Sequence, residues 1–577
     1  MTRNVLLLLT LLCACVPVPL QPGKPQNTAG FAPEHTPVVA YQLILRTEDP
    51  RLPVVLARSW GAEVLDQVQI QGQQYLLLGF DPDTVQQQLG ELLPTRPEDA
   101  QGWTHQLSQQ LPAIAGPLLQ GLELNVQALQ QPSPTTATAL ISHLTSVDTP
   151  AALDFNDRVF EAGGQAGWWR RETGVEAAWE YSIGSNTVAA YIDLGFSDQH
   201  PELAERLLIT DQSNQTEAGR RAGGKQLDLP PGDHGTASLL VGFAERDNHL
   251  PTIGVAPNAR VAPFVAGTVW DAARALQAAH RQREQQPFAV LGMNFAFPMF
   301  AQWQEAPGYA PYQLLRAALE ALGQPGPAGA AALPVVVPAH NYAEPVSGGP
   351  REWIPIAWQR ELPHLIGVGG TQYDSQRQQV SAWFSPTLMT GINARGSNYG
   401  EGLIWAPAVA LDIAGTRPDS LEPGNMNGTS AACPFTTAAI ALIKSRLPDL
   451  AAADLRQLLQ DSARPVDAAA LLQRADATVL LIQVDQALRQ GLVRAGKNPE
   501  RYRVQKVTGR LLREEHYLLE TPEGERLRLL PTQILLHPHS GSHPLLDKRV
   551  QIWGWQDLPG QPAGSLEVLR ISAATDN

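Results

Sequence analysis

The sequence predicts an α/β protein. Its main domain is a parallel β-sheet with helices on both faces, preceded by a small α+β unit and followed by a small all-β barrel. Short, continuously apolar runs typical of strands buried on both faces alternate with segments of helical spacing. Such alternation implies a parallel sheet. Residues 498–577 instead carry short strand-like segments separated by turn signals, which predicts the barrel.

The composition is that of a globular chain with more than one folding unit. The 577 residues are 44% hydrophobic and 17% charged, which suits a protein that buries a core. The length suggests about three to four units. The net charge of −14 argues against nucleic acid as a partner, because nucleic-acid binding relies on clustered Lys and Arg.

Residues 1–15 have the pattern of an export signal. A basic residue is followed by the apolar run Val5–Leu12, which is short for a membrane span. The segment Leu12-Cys13-Ala14-Cys15 resembles a bacterial lipobox, in which the chain is cut before Cys15 and lipid is attached to its sulfur; Cys13 departs from the usual small residue. Ordinary secretion is the alternative. We therefore expect export from a bacterial cell, with the protein either lipid-anchored at Cys15 or secreted.

The next two segments are predicted to be a linker and a small α+β unit. Residues 16–37 are rich in Pro, Gln, Gly and Thr, as linkers are. Residues 38–150 contain apolar runs with strand-like patterning and then a Gln- and Leu-rich helical linker. The predicted strands are Val39–Arg46, Ala62–Gln71 and Gln74–Gly79, the predicted helix is Leu52–Trp60, and the helical linker covers Pro82–Leu144.

Residues 151–490 form the predicted main domain. In an open sheet of this kind, ligands bind beyond the carboxyl ends of the strands, so polar residues that follow a strand are candidates for a site. The predicted strands are Val188–Ile192, Val261–Val265, Phe288–Met293, Leu333–Val337 and Leu365–Val368, and the predicted helices include Val269–Arg281 and Tyr312–Leu322.

Residues 498–577 form the predicted barrel. Five strands without a clear helix loosely resemble an OB-fold, a barrel type that can bind nucleic acid or sugars. The charge of this segment is nearly balanced, so no nucleic-acid function follows. The predicted strands are Tyr502–Leu511, His516–Glu520, Arg526–Leu530, Arg549–Trp555 and Ser565–Ile571.

Three short segments carry the chemistry, in the chain order Asp, His, Ser. Asp193 ends the run Val188–Ile192, His234 precedes an apolar helix, and Ser430 begins another apolar helix. A serine hydroxyl is a poor nucleophile until an imidazole takes its proton, and the imidazole needs a carboxylate to hold its tautomer. Ser430 alone would fit an ordinary helix N-cap. The three residues together predict a serine peptidase.

These segments resemble the subtilisin-like serine peptidases, whose catalytic residues occur in the same order. The resemblance covers about Asn156–Leu488. It implies that Ser430 is the nucleophile of an acyl-enzyme, that His234 transfers the proton and that Asp193 orients His234. The family commonly has Thr or Ser after this Asp, whereas Leu194 stands here and removes a hydroxyl from the local network. Further segments that match the family in order are Gly254–Ala259, Leu365–Thr371, Ser397–Gly400 and Trp405–Pro407.

The resemblance also implies residues around the reacting carbonyl. Asn341 is the candidate oxyanion donor. The family usually has Gly before this Asn, and His340 stands here. Since Gly permits backbone angles that His tolerates poorly, we expect either an ordinary loop conformation or a narrowed specificity pocket. Asn294, Phe295 and Ala296 occupy the place of the segment that pairs with the substrate main chain, and their identities leave specificity open.

By position alone, residues 38–150 resemble the family's inhibitory propeptide, with a cut expected between Gln131 and Phe155. A permanent accessory domain is the alternative. The chemistry needs no cofactor, and we expect no metal site. Calcium commonly stabilises this family, but no Asp-rich loop here supports a calcium site.

The sequence therefore predicts an exported serine endopeptidase that is made as a zymogen. We expect a monomer that acts on proteins or peptides and meets a membrane only through its signal or lipid anchor. The alternative is a catalytically silent subtilisin-like module that binds peptides. Leu194, His340 and Asn294 motivate that alternative, because they depart from the family pattern.

Overall fold

The computed structural model describes strands near the N-terminus, most of the main domain and the barrel. The predicted signal with Cys15, the linker at 16–37, the helix at Leu52–Trp60 and the cut between Gln131 and Phe155 lie outside the described residues. The described residues are 38–47, 62–80, 123–128, 167–227, 233–245, 252–300, 310–326, 331–349, 351–389, 394–417, 423–513, 516–530, 546–556 and 564–573.

Helices and strands alternate through the main domain, and the described residues before 129 and after 504 lie in strands and their turns. The helices, numbered in chain order, are α1 (Trp168–Glu172), α2 (Val175–Ala178), α3 (Glu217–Arg221), α4 (Asp233–Phe243), α5 (Val269–Gln282), α6 (Ala310–Gly323), α7 (Thr429–Lys444), α8 (Ala452–Ser462), α9 (Ala469–Leu472) and α10 (Val484–Arg494). The strands are β1 (Val38–Thr47), β2 (Ala62–Ile70), β3 (Gln73–Phe80), β4 (Glu123–Ala128), β5 (Val188–Asp193), β6 (Arg260–Val265), β7 (Val290–Met293), β8 (Phe297–Phe300), β9 (Val335–Pro338), β10 (Arg351–Ile354), β11 (Leu365–Asp374), β12 (Gln379–Ala382), β13 (Phe384–Met389), β14 (Ala394–Gly396), β15 (Ile404–Pro407), β16 (Leu411–Ala414), β17 (Pro423–Met426), β18 (Arg464–Asp467), β19 (Thr478–Leu481), β20 (Gln505–Arg513), β21 (Tyr517–Glu520), β22 (Arg526–Leu530), β23 (Arg549–Gln556) and β24 (Ser565–Ala573).

The main domain is built on a nine-stranded sheet in the order β12-β18-β19-β15-β11-β9-β7-β5-β6. The neighbours from β15 to β6 all pair in parallel. Every residue of β5, β7, β9 and β15 is buried, as expected for strands covered on both faces. The predicted subtilisin-like α/β fold is therefore confirmed.

Helices α4 and α7 approach each other closely beside this sheet. The approach depends on Gly242 of α4, where an added Cβ would lie 3.1 Å from the carbonyl oxygen of Pro434 and 3.3 Å from Ala438 Cβ. Helix α7 packs along β5, β7, β9, β11 and β15, and α5 packs on β5 and β6. The first turns of α4 and α7, which carry His234 and Ser430, are thereby held beside the central strands.

The N-terminal strands form a four-stranded antiparallel sheet in the order β2-β3-β1-β4. The strands predicted at Val39–Arg46, Ala62–Gln71 and Gln74–Gly79 correspond to β1, β2 and β3. The helical character predicted for 82–144 is wrong at β4. There Leu124 and Val126 alternate with polar residues in the two-residue period of a strand, and β1 supplies the pairing edge.

The C-terminal strands form a closed barrel in the order β20-β21-β22-β24-β23, with β22 and β24 parallel. The predicted small β-barrel is confirmed, and its five strands coincide closely with the predicted segments. The barrel core consists of Leu511, Leu519, Leu527, Leu529, Val550, Ile552, Leu566 and Val568.

Among the described helices, none combines the length and the apolar character that a membrane crossing requires.

Candidate active site

Three neighbouring elements carry Asp193, His234 and Ser430. Asp193 is the last residue of β5, His234 is the second residue of α4, and Ser430 is the second residue of α7. The carboxyl ends of parallel strands meet at one edge of the sheet, which is where α/β proteins place their sites. The structure therefore brings together three residues that lie far apart in the sequence.

The Asp193–His234 pair is a short, buried hydrogen bond. His234 Nδ1 lies 2.6 Å from Asp193 Oδ1, and the two side chains are 1% and 0% exposed. The main-chain N–H of Leu194 donates to the same oxygen at 2.7 Å. Since an ionised carboxylate only accepts hydrogen bonds, Nδ1 carries the proton and Nε2 carries the lone pair that a general base needs.

The residues after His234 fix the start of α4 against the end of β5. A Cβ on Gly235 would lie 2.1 Å from the carbonyl oxygen of Gly195, so glycine is required for this close approach. Thr236 Oγ1 accepts a hydrogen bond of 2.8 Å from the main-chain N–H of Ser197. These contacts tie the helix carrying His234 to the segment that follows Asp193.

The second oxygen of Asp193 is held by Ser238 and Asn294. Ser238 Oγ donates to Asp193 Oδ2 at 2.9 Å, and Asn294 Nδ2 lies 3.3 Å from the same oxygen. Asn294 Nδ2 also lies 3.0 Å from Ser238 Oγ and 3.2 Å from the carbonyl oxygen of Ser430. The side chain of Asn294 thus faces the Asp193 carboxylate. The main-chain pairing with substrate predicted for Asn294, Phe295 and Ala296 stays a prediction.

Ser430 lies in the first turn of α7, directly after a sharp bend. Gly428 precedes the helix with φ +95°, a backbone conformation that favours glycine. Ser430 Oγ is buried and makes no hydrogen bond to any residue that the structure describes, so the bond to His234 is not closed here. Catalytic hydrogen bonds are often long in ligand-free enzymes and tighten around substrate.

Asn341 is fixed against the residue that precedes Ser430. Its Oδ1 accepts from the main-chain N–H of Thr429 at 2.9 Å and from Thr429 Oγ1 at 2.8 Å. These two bonds identify the amide oxygen, so the Nδ2 donors face away from Thr429. The amide is therefore held in one orientation beside the start of α7, as an oxyanion donor has to be.

His340 takes the backbone conformation that glycine usually supplies. Its φ is +81°, so the expectation of an ordinary loop conformation is wrong. A non-glycine residue in this region costs about 1–3 kcal/mol and persists where its surroundings over-determine it. Here the buried ring packs 4.2 Å from the Trp353 ring and 5.4 Å from the Tyr342 ring, and the main-chain N–H of His340 donates to Thr429 Oγ1. A narrowed specificity pocket stays a prediction.

A buried phenol lies beneath the site. Burial raises the pKa of Tyr191 well above its usual value, and the nearby Cys433 and Asp193 raise it further. The phenol is therefore neutral at physiological pH and adds no charge beside Asp193. Across the described part of the chain, no three His, Cys, Asp or Glu side chains are arranged to hold a metal ion.

Two features of the site were not predicted from the sequence, namely Ser238 and the side-chain role of Asn294. Ser238 could have been found, because it lies four residues after His234 and therefore on the same face of α4. No local pattern shows where the Asn294 side chain points. Its contacts come from β5, α4 and α7, which only the fold brings together.

Several known proteins are similar to part of this chain. An extracellular serine protease from Aeromonas sobria is 25% identical in an alignment of 359 residues that covers 53% of this chain and 52% of that protein, so the chain spans about half the length of its relative. MycP1 from Mycobacterium smegmatis is 18% identical with a TM-score of 0.39 and covers 56% of this chain and 84% of that one. The A-subunit of the AB5 toxin from E. coli is 15% identical with a TM-score of 0.44 and covers 56% and 99%. The model of the subtilase family matches residues 184–489, more than half of the chain. The chain therefore belongs to the subtilase family.

Proposed function

We propose that the protein is an exported serine endopeptidase that cleaves peptide bonds through an acyl-enzyme on Ser430. The observation that carries the proposal is the buried 2.6 Å hydrogen bond between Asp193 and His234, beside the helix that begins with Thr429 and Ser430. Membership of the subtilase family supports it. The relative from Aeromonas sobria, described as an extracellular serine protease, supports export, with lipid attachment at Cys15 or free secretion as its two forms.

The bond changes follow from the protonation state of His234. As Ser430 Oγ attacks the peptide carbonyl carbon, His234 Nε2 takes its proton, and Asp193 stabilises the imidazolium that forms. Collapse of the tetrahedral intermediate breaks the C–N bond, and the same proton passes to the leaving amine. Water then enters, gives a proton to Nε2 and attacks the acyl carbon. The acid product leaves and Ser430 Oγ regains its proton.

The negative charge that develops on the carbonyl oxygen of the substrate has to be stabilised by preorganised hydrogen-bond donors. The Asn341 amide, held through its oxygen by Thr429, presents Nδ2 as one donor. In the first turn of α7 the Thr429 N–H donates to Asn341 Oδ1 and the Ala431 N–H donates to the Gly428 carbonyl, so the Ser430 N–H is the main-chain donor, at the positive end of the helix dipole. Donors of this kind are worth about 10²–10³ in rate in such enzymes.

We also propose that the N-terminal unit acts as a propeptide on this site. Its described strands dock on α3 and α5 through Asp66, which lies 2.6 Å from Nη2 of Arg220 on α3, 3.1 Å from Nη1 of Arg274 on α5 and 2.8 Å from Nε1 of Trp270 on α5. Buried apolar residues of the sheet, including Ile44 and Tyr75, pack into the same core cluster as the main domain. A unit bound over this area before cleavage would assist folding and delay activity.

A catalytically silent peptide-binding module is the second candidate. Ser430 Oγ has no hydrogen-bond partner among the described residues, which favours this reading. The closed Asp193–His234 bond and the oriented Asn341 amide favour the enzyme.

Intact mass of the full-length protein and of Ser430→Ala decides between them. We expect the native chain to lose an N-terminal fragment by a cut between Gln131 and Phe155, and the variant to stay whole. Casein hydrolysis should fall by at least about 10³-fold in Ser430→Ala, because the triad acts as a unit. Its thermal unfolding should stay close to that of the native chain.

The matched control is Ser445→Ala, at the other end of the same helix, where Oγ lies 2.5 Å from Ser182 Oγ. This variant should keep both cleavage and labelling by a serine-directed phosphonate. Hydrolysis retained in Ser430→Ala would refute the nucleophile. A folded native chain that is neither cut nor labelled would support the silent module.

A further inference from the structure

We propose that the side chain of Asn294 is a positioning residue. Together with Ser238 it joins the Asp193 carboxylate to the main chain of Ser430, so that one hydrogen-bonded network sets the separation of the orienting acid and the nucleophile. This role rests on the serine-peptidase function proposed above. It compensates for Leu194, which has no side-chain hydroxyl to offer Asp193.

Both oxygens of the Asp193 carboxylate accept hydrogen bonds from protein groups. Oδ1 accepts from His234 Nδ1 and from the Leu194 N–H. Oδ2 accepts from Ser238 Oγ and lies within reach of Asn294 Nδ2. An ionised carboxylate offers about four lone-pair sites. The Asp193 side chain is fully buried, so these protein groups supply the hydrogen bonds that water would supply to an exposed carboxylate.

The orientation of the Asn294 amide follows from its neighbours. The Asp193 carboxylate and the Ser430 carbonyl can only accept hydrogen bonds, and both lie within 3.3 Å of the atom assigned as Nδ2. A flipped amide would place its oxygen against two other oxygens. The observed orientation is kept although Oδ1 is buried and has no hydrogen-bond partner among the described residues. The two acceptors therefore decide which way the amide faces.

The Ser430 carbonyl is available to Asn294 because of Pro434. In a helix the carbonyl of a residue accepts from the N–H four positions later, and proline has no N–H. Pro434 lies four positions after Ser430, inside α7. Ser430 is buried, so its carbonyl oxygen needs a hydrogen-bond donor from outside α7. Asn294 Nδ2, at 3.2 Å, is that donor.

The donor hydrogens of Asn294 and Ser238 are enough to form one continuous chain of hydrogen bonds. Asn294 Nδ2 has two N–H groups, which fit Ser430 O at 3.2 Å and Ser238 Oγ at 3.0 Å. The Ser238 hydroxyl has one proton and two acceptors within reach, Asp193 Oδ2 at 2.9 Å and the His234 carbonyl at 3.0 Å. The bond to the charged carboxylate is the stronger and continues the path, and Oδ1 accepts from His234. The path runs from the nucleophile's own carbonyl to the imidazole. Displacement of a catalytic group by about 1 Å can cost about 10²-fold in rate, so a link of this kind affects kcat.

The first test is Asn294→Leu, which keeps the approximate volume and removes both donors. We expect kcat to fall by about 10- to 100-fold, as for loss of a hydrogen bond to a charged group, with KM within about twofold of the native value. The low-field NMR resonance of the His234 Nδ1 proton should shift or broaden. That resonance reports on the network independently of hydrolysis.

Asn294→Asp tests the donors with almost no change of shape. Ionised, the new carboxylate repels Asp193; protonated, it regains one donor. The ratio of variant to native kcat should therefore rise as the pH falls. Ser238→Ala should lower kcat, and Ser238→Thr, which keeps the hydroxyl, should recover most of it.

Gln359→Met is the matched control. It also removes a buried amide, one that donates to the Glu401 carbonyl at 2.9 Å, and it should lower thermal stability while leaving kcat and the resonance unchanged. The positioning role is wrong if Asn294→Leu keeps native kcat and resonance. If the native chain itself hydrolyses nothing, the proposed function fails. In that case a displaced resonance in Asn294→Leu still supports the network, and an unchanged one refutes it.

Discussion

The N-terminal sheet and the C-terminal barrel meet the main domain in different ways. The sheet contributes Ile44, Val68, Ile70, Tyr75 and Leu77 to the core cluster of the main domain, and its Asp66 lies in a cluster with Arg220 and Arg274. The barrel keeps a separate core; its buried Trp555 belongs to the main cluster, and the partly buried Tyr502 and Val504, just before β20, pack against that cluster. The N-terminal sheet is attached by a broad face with a charged rim, and the barrel by contacts concentrated around Trp555.

The anchor of the barrel is buried and polar on one side. Trp555 Nε1 donates to the Glu180 carbonyl at 2.9 Å, and the Arg446 guanidinium lies 5.2 Å from the Trp555 ring centre. Glu567 of the barrel accepts a hydrogen bond from Ser185 Oγ of the main domain. A concentrated, buried contact suits a unit that stays attached. The N-terminal face is broad and partly charged, and the propeptide role proposed above requires that this face release the unit once the connecting chain is cut.

Trp555→Ala should produce the largest effect on this comparison. Removing a large buried aromatic side chain costs about 3–5 kcal/mol. Because the barrel has its own core, we expect it to detach rather than unfold, so that chemical denaturation shows two transitions. Trp555→Phe is the control, since it keeps the apolar ring and loses only the Nε1 bond. Unchanged stability in Trp555→Ala would mean that Trp555 is not the anchor.

The dependence of stability on pH should distinguish the interface of the N-terminal sheet from that of the barrel. Burial raises the pKa of Asp271, on α5 beside Arg220, from 3.8 to about 6. The folded protein therefore binds this proton more tightly than the unfolded chain does. The free energy of unfolding should increase as the pH falls from about 6 towards 4. Above about pH 6 the Asp271 carboxyl is ionised in the folded protein as well, so its destabilising effect has reached its full size.

Asp271→Asn should remove that dependence and stabilise the protein by about 3 kcal/mol near neutral pH. Denaturant titrations of both proteins at pH 4.5 and 7.5 measure it. At the barrel, burial lowers the pKa of Arg446 to about 10, so Arg446 stays charged across this range. If the free energy of unfolding changed with pH equally in the native protein and in Asp271→Asn, the raised pKa of Asp271 would be contradicted.

Asp66→Asn should produce the smallest effect. The ion pairs with Arg220 and Arg274 are partly exposed, and such pairs contribute about 1 kcal/mol or less. In the full-length chain carrying Ser430→Ala, amide hydrogens of β2 and β3 should exchange up to about fivefold faster. Glu63→Gln, an exposed carboxylate on the same strand, is the control. Equal exchange in both variants would mean that the charged rim contributes nothing to docking.

Sequence alone determined the elements and most of the chemistry. Continuous apolar runs identified β5 and its neighbours because their residues are buried on both faces. The helix that begins at Thr429 was expected from its apolar run, and Asp193, His234 and Ser430 from their order and residue types. These features depend on residues close together in the chain, which is why a linear pattern reveals them.

Only the tertiary structure decided how these residues are held. The positive φ of His340 occurs where Trp353 and Tyr342 pack against its ring, and β4 forms where it pairs with the edge of β1. Asn294 reaches the carbonyl of Ser430, 136 positions away, since β7 ends beside the start of α7. Contacts of this kind depend on the distance between folded elements, and no local periodicity encodes that distance.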